Sequence, residues 1–448
     1  MQGTAVRFRA PQPAREYRFR DVISGLSVAL DLGEGQTPGH AHRTAIIGLR
    51  LADDLGLPAA DREPLLHTLL LKDAGCSGNA SIVARELALD DHHAKRLLRA
   101  AGRGEWPART FEGNALVARL FGFGHGTGQR LAREFNRLRS EAGARIATVL
   151  ECDAVTIDGI RSLDEHWDGG GLPAGLSADG VPLAARISSL AQTLDLIHTT
   201  SGPDAAIDFV RERRGEWFDP ALVDVCASWR NDRLWWHELL LEHAVALDGS
   251  LALEDERVLD EDGLDRVAEA FALVIDGKNP YAANHSRGVA TIATGIGTLL
   301  GYQDGALREL YRAALLHDLG NLSLSNRILD KAAPLTDEER EIVKQHPRFT
   351  WSILRRVDAF EDVGWPAALH HERLDGSGYP WGHGENELDV NSRILAVADS
   401  YEAVTQTRAY RDALPPDTAI HIIGKDSPRR YDARVFKALE AWIALGSN

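Results

Sequence analysis

The chain repeats itself, and that repeat limits what it can fold into. His40 stands 245 residues before His285, and Lys72 stands the same 245 residues before His317. Farther on, the turn Trp167-Asp168-Gly169 answers Leu374-Asp375-Gly376, and Phe218-Asp219 answers Tyr431-Asp432. A duplication of this length demands a domain that two diverged sequences can each build. Within each copy the apolar residues recur at helical spacing. Ala45, Leu49 and Ala52 continue a face from His42, and Leu65, Leu69 and Leu70 mark a second helix. In the second copy Leu264, Val267, Ala268, Phe271 and Ile275 form a stripe that Asp262 can cap. The expected architecture is therefore all-α, with two tandem helical domains. Residues 1–15 read as a disordered tail, 16–245 as the first copy, 246–260 as an acidic linker and 261–448 as the second copy.

Charge narrows the function. The 448 residues carry a formal net charge of −16, which disfavours general binding to nucleic acid or an anionic membrane. No DNA binding is expected, and an anionic substrate needs a local positive centre, for which bound metal ions are suited. Cys76, Cys152 and Cys226 form no CxxC pair, so a reducing, cytoplasmic setting is the simplest expectation. No apolar run approaches a membrane span, and the arginine-rich start lacks the apolar core of a secretory signal. Gly122-Phe-Gly124-His-Gly126 is glycine-rich but makes no phosphate-binding fingerprint, and reads as a loop.

The polar residues of the second copy are the informative ones. His370-His371-Glu372-Arg373-Leu374-Asp375-Gly376-Ser377-Gly378-Tyr379-Pro380 puts two histidines at the close of a short helix that Pro366 can open, followed by a glycine-punctuated turn. Adjacent imidazoles point in different directions from a helix, so they serve one site only if other ligands converge on them. His285 shares a face with Val289, Ile292 and Ile296, and Asp318 shares one with Tyr311, Ala314 and Leu315, so both point inward. A buried carboxylate is costly unless it is paired or bound to metal. His383 and His421 lie outside the pattern and read as ordinary core histidines.

Residues 261 to 445 resemble an HD-GYP domain, a branch of the HD phosphohydrolases similar to cyclic di-GMP phosphodiesterases. The pieces that carry the resemblance are Asn284-His285-Ser286-Arg287, His317-Asp318-Leu319-Gly320, Leu335-Thr336 with His346-Pro347, the His370–Pro380 stretch, and Asp399 to Arg411. The resemblance implies two divalent metal ions, iron first and manganese as the alternative. His285, His317, Asp318 and Asp399 would form one position and His346, His370 and His371 the other, with Asp318 bridging. A third metal would need a glutamate where this chain has Tyr281. The implied reaction is attack of a metal-bridging hydroxide on cyclic di-GMP, giving pGpG and GMP, with Asp318 and Asn321 at catalytic positions. Arg408, Arg411, Gly378, Tyr379 and Pro380 would meet substrate, and the Gly-Tyr-Pro loop of the family also meets diguanylate cyclase domains.

The chain departs from the family pattern in places. Asn321 stands where the family has a lysine near the bound phosphate, Ala333-Pro334 replaces Pro-Gly-Lys, and Arg408-Ala409-Tyr410 replaces Arg-Pro-Tyr. An amide supplies neither charge nor a readily transferred proton. This keeps open a metal-bound sensor of the dinucleotide with little turnover; a broader HD nucleotidase is a third reading. In the first copy Lys72, Leu163, Asp164 and Gln192 answer His317, His370, His371 and Asp399, and no counterpart of His346 is legible. Lysine and leucine offer a metal nothing, so the first copy is expected to keep the fold without the metal site. The two copies could pack as an intramolecular pseudo-dimer, or the chain as a homodimer.

Overall fold

The computed structural model describes residues 16–81, 90–92, 127–242, 257–279, 283–407 and 412–446. The 1–15 tail, most of the proposed linker, Gly122–Gly126, Tyr281, Arg408 and Arg411 lie outside the described residues. Among the described residues the fold is helical apart from one two-stranded pairing and an isolated bridge between Arg214 and Phe218.

Each copy opens with an amphipathic helix. In Phe19–Gly33 the residues Phe19, Val22, Ile23, Leu26 and Leu30 are buried, which is one helical face. In Glu261–Gly277 the buried set is Leu264, Val267, Ala268, Phe271, Val274 and Ile275. The cap of this second helix is not Asp262. Asp260 takes the role, its Oδ1 accepting from the Gly263 N–H at 2.7 Å, and Asp262 turns outward to Arg308 at 2.6 Å. A helix cap must stand outside the first turn, and Asp262 already lies inside it.

The following helices correspond pair by pair. His40–Asp54 and Ala59–Leu71 match His285–Leu299 and Asp304–Leu316. Leu183–Glu212 bends at Gly202, whose φ is 84°, before Pro203, where the second copy has two helices, Val390–Thr405 and Pro416–Asp426. Pro366 does not open its helix: Glu361–Ala368 encloses it, and His370 and His371 follow in the succeeding turn.

The copies hold each other reciprocally. Phe19–Gly33 packs on the turn Leu319–Ser323 and on His346–Leu354 of the second copy, while Glu261–Gly277 packs on Cys76–Asn79 and on Thr127–Val149 of the first. Gly33 faces Leu322 as Gly277 faces Ser77. The strand before each opening helix meets its equivalent, Tyr17 opposite Leu259 and Arg18 opposite Val258, in an antiparallel pair. Val258 and Leu259 therefore belong to this pairing rather than to a linker. This exchange of like for like is the geometry of a two-fold interface within one chain, and the buried apolar residues of both copies form one continuous core. Among the described residues no helix is long and apolar enough to cross a membrane.

Candidate metal centre

Seven side chains from five elements converge in the second copy. His285 opens its helix after Asn284, which takes a left-handed φ of 67°. His317 and Asp318 follow the end of Asp304–Leu316, and His346 opens His346–Leu354. His370 and His371 come from the turn after Glu361–Ala368, and Asp399 lies inside Val390–Thr405. Gly320 lets two of these elements close up: a Cβ there would overlap the His346 carbonyl oxygen. Thr350 stitches the same junction, its hydroxyl accepting from the Gly320 N–H at 2.9 Å and donating to the His317 carbonyl at 2.9 Å.

Asp318 divides the set in two. Its Oδ1 lies 3.2 Å from His346 Nε2 and 3.6 Å from His370 Nε2. Its Oδ2 lies 3.6 Å from His285 Nε2 and 3.5 Å from His317 Nε2. Asp399 is placed in the same manner, Oδ1 3.5 Å from His285 Nε2 and Oδ2 3.8 Å from His371 Nδ1. Ligand atoms of His346, His370 and His371 lie within reach of one ion, as do those of His285, His317 and Asp399.

An outer layer fixes the imidazoles. The Nδ1–H groups of His317, His346 and His370 each donate at 2.7 Å to a carbonyl three residues earlier, of Ala314, Val343 and Ala367. That sets the tautomer and leaves each Nε2 lone pair facing the centre. His285 Nδ1 instead pairs with the buried carboxylate of Glu402. Glu402 is absent from the sequence expectations, although it follows Asp399 by three residues and so shares its helix face. Glu372, next to His371, folds the glycine turn around itself by accepting from the Trp381 N–H at 2.8 Å and the Gly382 N–H at 3.2 Å.

The electrostatics differ between the two ends of the site. Burial opposes ionisation of Asp318, yet His317, His285 and His346 hold its carboxyl well below the usual range. Burial and the neighbouring His317 push His370 down to about 3, and burial with His370 and His346 keeps His371 well below its ordinary value. Burial also works against a charged His285, but Asp318, Glu402 and Asp399 outweigh it and push it up to about 10. His370 and His371 are thus held neutral, while the carboxylates gathered around His285 attract positive charge. Among the described residues, His317 Nε2 is buried without a hydrogen-bond partner. A buried nitrogen lone pair left in this way is costly unless something accepts it. Five imidazoles with two carboxylates suit iron, manganese or zinc, so the residues present fit divalent metal.

The residues expected on the substrate side can be placed individually. The Tyr379 ring lies 4.6 Å from that of His371 at 32°. A Cβ at Gly378 would overlap the backbone of Glu372, so the turn needs glycine there. Pro380 accepts at its carbonyl from Arg348 Nη2 at 2.9 Å. Asn321 follows Gly320, and its Oδ1 is buried without a hydrogen-bond partner among the described residues. His383 pairs with Glu387 at 3.2 Å and is only half-buried, and His421 is exposed rather than in the core, because its helix presents that face to solvent.

The first copy fills the equivalent space with its own cations. Lys72 Nζ lies 2.6 Å from Asp73 Oδ2, both side chains fully enclosed. Arg139 bonds Asp164, with a nitrogen 3.6 Å from Asp73. Arg139 is the counterpart of His346 that sequence comparison misses: a Cβ at Gly75 would overlap the Arg139 carbonyl, as one at Gly320 would that of His346. The His40–Asp195 pair at 2.7 Å answers His285–Glu402. Glu34, Asp73 and Cys76 also approach within reach of one ion, but the Lys72 ammonium already neutralises Asp73 there.

The sequence model of the HD domain family matches residues 125–222 and 269–435. The chain is similar to a 3'3'-cGAMP-specific phosphodiesterase 3 of Vibrio cholerae, 34% identical over 96% of this chain and 95% of that protein. It is also similar to a cyclic di-GMP phosphodiesterase of Thermotoga maritima, 36% identical over 40% of this chain and 49% of the relative. A crystal structure of the cyclic GMP-AMP specific phosphodiesterase V-cGAP3 from V. cholerae superposes with a TM-score of 0.65 at 29% identity, covering 96% of this chain and 99% of the other. With the family's pattern in both copies and a relative aligned along nearly its whole length, this chain belongs to the HD domain family and is a protein of the HD-GYP type.

Proposed function

We propose that the chain is a metal-dependent phosphodiesterase that opens a 3',3'-linked cyclic dinucleotide. The observation that carries the reading is the position of Asp318, one oxygen toward His346 and His370 and the other toward His285 and His317. His285, His317 and Asp399 would hold one divalent cation, and His346, His370 and His371 a second, with Asp318 shared. Iron is the first candidate and manganese the alternative, on the imidazole-rich donor set. Such ions, when bound, polarise a phosphoryl oxygen and lower the pKa of bound water. The chain's own residues orient and enclose. The carbonyls of Ala314, Val343 and Ala367 aim three imidazoles, and Glu402 aims the fourth. Tyr379 covers His371 on the substrate side. Asn321 offers a hydrogen bond and no readily transferable proton to the leaving ribose oxygen.

Cyclic di-GMP, opened to pGpG and then GMP, and 3'3'-cGAMP are the two substrates in view. The likeness along 96% of the chain to a cGAMP-specific enzyme favours the second. The first copy would act as the built-in half of a pseudo-dimer, carrying Lys72 and Arg139 in place of metal. Asn321 favours a second reading, a sensor that binds the dinucleotide and releases little product. Metal analysis of anaerobically purified protein, followed by incubation with each dinucleotide and chromatography of the products, tests both. The enzyme reading expects linear dinucleotide from the wild type and none from Asp318→Ala; tight binding with no product supports the sensor, and neither binding nor product refutes both.

A further inference from the structure

A row of rings leads away from the metal centre, and the chemistry above leaves it without a role. Trp381 stands 5.1 Å from Trp365, which stands 5.0 Å from Trp351. His383 stacks near Trp381, centroids 6.2 Å apart and planes within 15°. The Arg348 guanidinium lies 5.4 Å over the Trp381 ring. These rings are half-buried, unlike the core aromatics Phe271 and Phe360, which are 1% and 0% exposed. The row is continuous with the candidate metal centre. Tyr379 lies on His371, Arg348 bonds the carbonyl of Pro380 next to it, and the Trp381 N–H is held by Glu372, the neighbour of His371.

The duplicated fold supplies an internal control. At the spacing of 207 that relates His370 to Leu163 and Glu372 to Glu165, Trp351, Trp365, Trp381 and His383 answer to Ala144, Asp158, Ala174 and Leu176. Arg348 answers to Glu141. The same helices pack together in both copies, and the first copy manages without a single one of these rings. Packing of the fold therefore does not require them. They accompany the histidine ligands and are missing where Lys72 and Arg139 fill the site.

We propose that Trp381, flanked by Arg348 and His383, is a stacking platform for a purine base of a nucleotide whose phosphodiester is held at the metal centre. The inference rests on the phosphodiesterase reading and deepens it. A purine offers a flat π face that an indole can cover, and a guanidinium beside it adds cation–π attraction and hydrogen bonds to the base edge. The chain as a whole is acidic, so recognition by apolar stacking next to one exposed arginine avoids repelling the substrate's phosphates.

The test compares wild type, Trp381→Ala and Trp381→Phe as metal-loaded full chains with cyclic di-GMP and 3'3'-cGAMP. Metal content and steady-state kinetics are measured together. Trp381→Ala should keep its metal and raise KM roughly tenfold or more, with kcat falling far less, and Trp381→Phe should recover most of the loss. Dinucleotide should quench tryptophan fluorescence in the wild type and much less in Trp381→Ala. If Trp381→Ala loses metal, Arg348→Gln on the exposed side carries the same KM test. A wild type that turns over dinucleotide beside variants of unchanged KM overturns the platform alone. A wild type that neither hydrolyses nor is quenched by either dinucleotide overturns the functional reading, and the platform with it.

Discussion

The Arg139 guanidinium meets Asp164 from the same place in the first copy where the His346 imidazole faces Asp318 in the second. One position carries a permanent cation and the other an imidazole, so the two copies surround their buried carboxylates by different means. Lys72 completes the arrangement in the first copy.

Removing that ammonium should therefore unbalance the first copy. Lys72→Met leaves Asp73 enclosed and short of its strongest partner, and breaking such a pair costs about 3–5 kcal/mol. Chemical denaturation with and without added iron or manganese checks it. A stability equal to that of the wild type would contradict the pairing of Lys72 with Asp73.

The shared position of Asp318 predicts an unequal response to ligand loss. Asp318→Ala should deplete both ions together, whereas His371→Ala should deplete chiefly the ion of the His346–His370 set. Metal-to-protein ratios after exhaustive dialysis distinguish the two, and equal depletion by both variants would argue against a bridge.

Glu402 sets the ring of His285. Partners of this kind typically contribute 10–100-fold in metal affinity. Glu402→Ala should weaken binding by about that factor in a competitive chelator titration, and Glu402→Gln, which keeps an acceptor, should lose less.

Asn321 supplies no proton, so Asn321→Lys should raise turnover of the cyclic dinucleotide about tenfold or more at unchanged metal content, in line with general acid assistance. Product formation in single-turnover mixing is the measurement. An unchanged rate would place the limiting step elsewhere.

Two buried groups of the first copy make stability respond to acid in opposite directions. His67 lies edge-on to Phe19 at 4.9 Å, and burial pushes it from 6.5 down to about 4. The unfolded chain takes up that proton first, so stability from His67 falls as pH drops from 6.5 toward 4. Burial pushes Asp31 up from 3.8 to about 7, with Lys72 opposing and Asp73 assisting. Its contribution is complete below 3.8 and is lost as pH rises to about 7. Between pH 7 and pH 5, His67 costs about 2 kcal/mol and Asp31 adds about 2 kcal/mol, so they nearly cancel. His67→Leu should then gain stability on acidification and Asp31→Asn should lose it. Urea denaturation at the two pH values reads the difference, and parallel behaviour of both variants with wild type would refute it.

The sequence by itself determined what is local or repeated. Helical periodicity marked the helices, the 245-residue spacing disclosed two copies, and the inward-facing histidines and aspartates of the second copy stood out as candidate donors because their side chains carry lone pairs. What it could not determine depends on approach in three dimensions. Asp260 rather than Asp262 caps its helix because the cap is set by where the chain enters the first turn. Glu402 became visible only when its helix lay beside His285. Arg139 was hidden because the spacing between copies shifts from 245 to 207 ahead of it and because a guanidinium resembles an imidazole in no property that residue matching rewards. The backbone decided that equivalence, through two glycines, Gly75 and Gly320, each pressed against a carbonyl that leaves no room for a side chain.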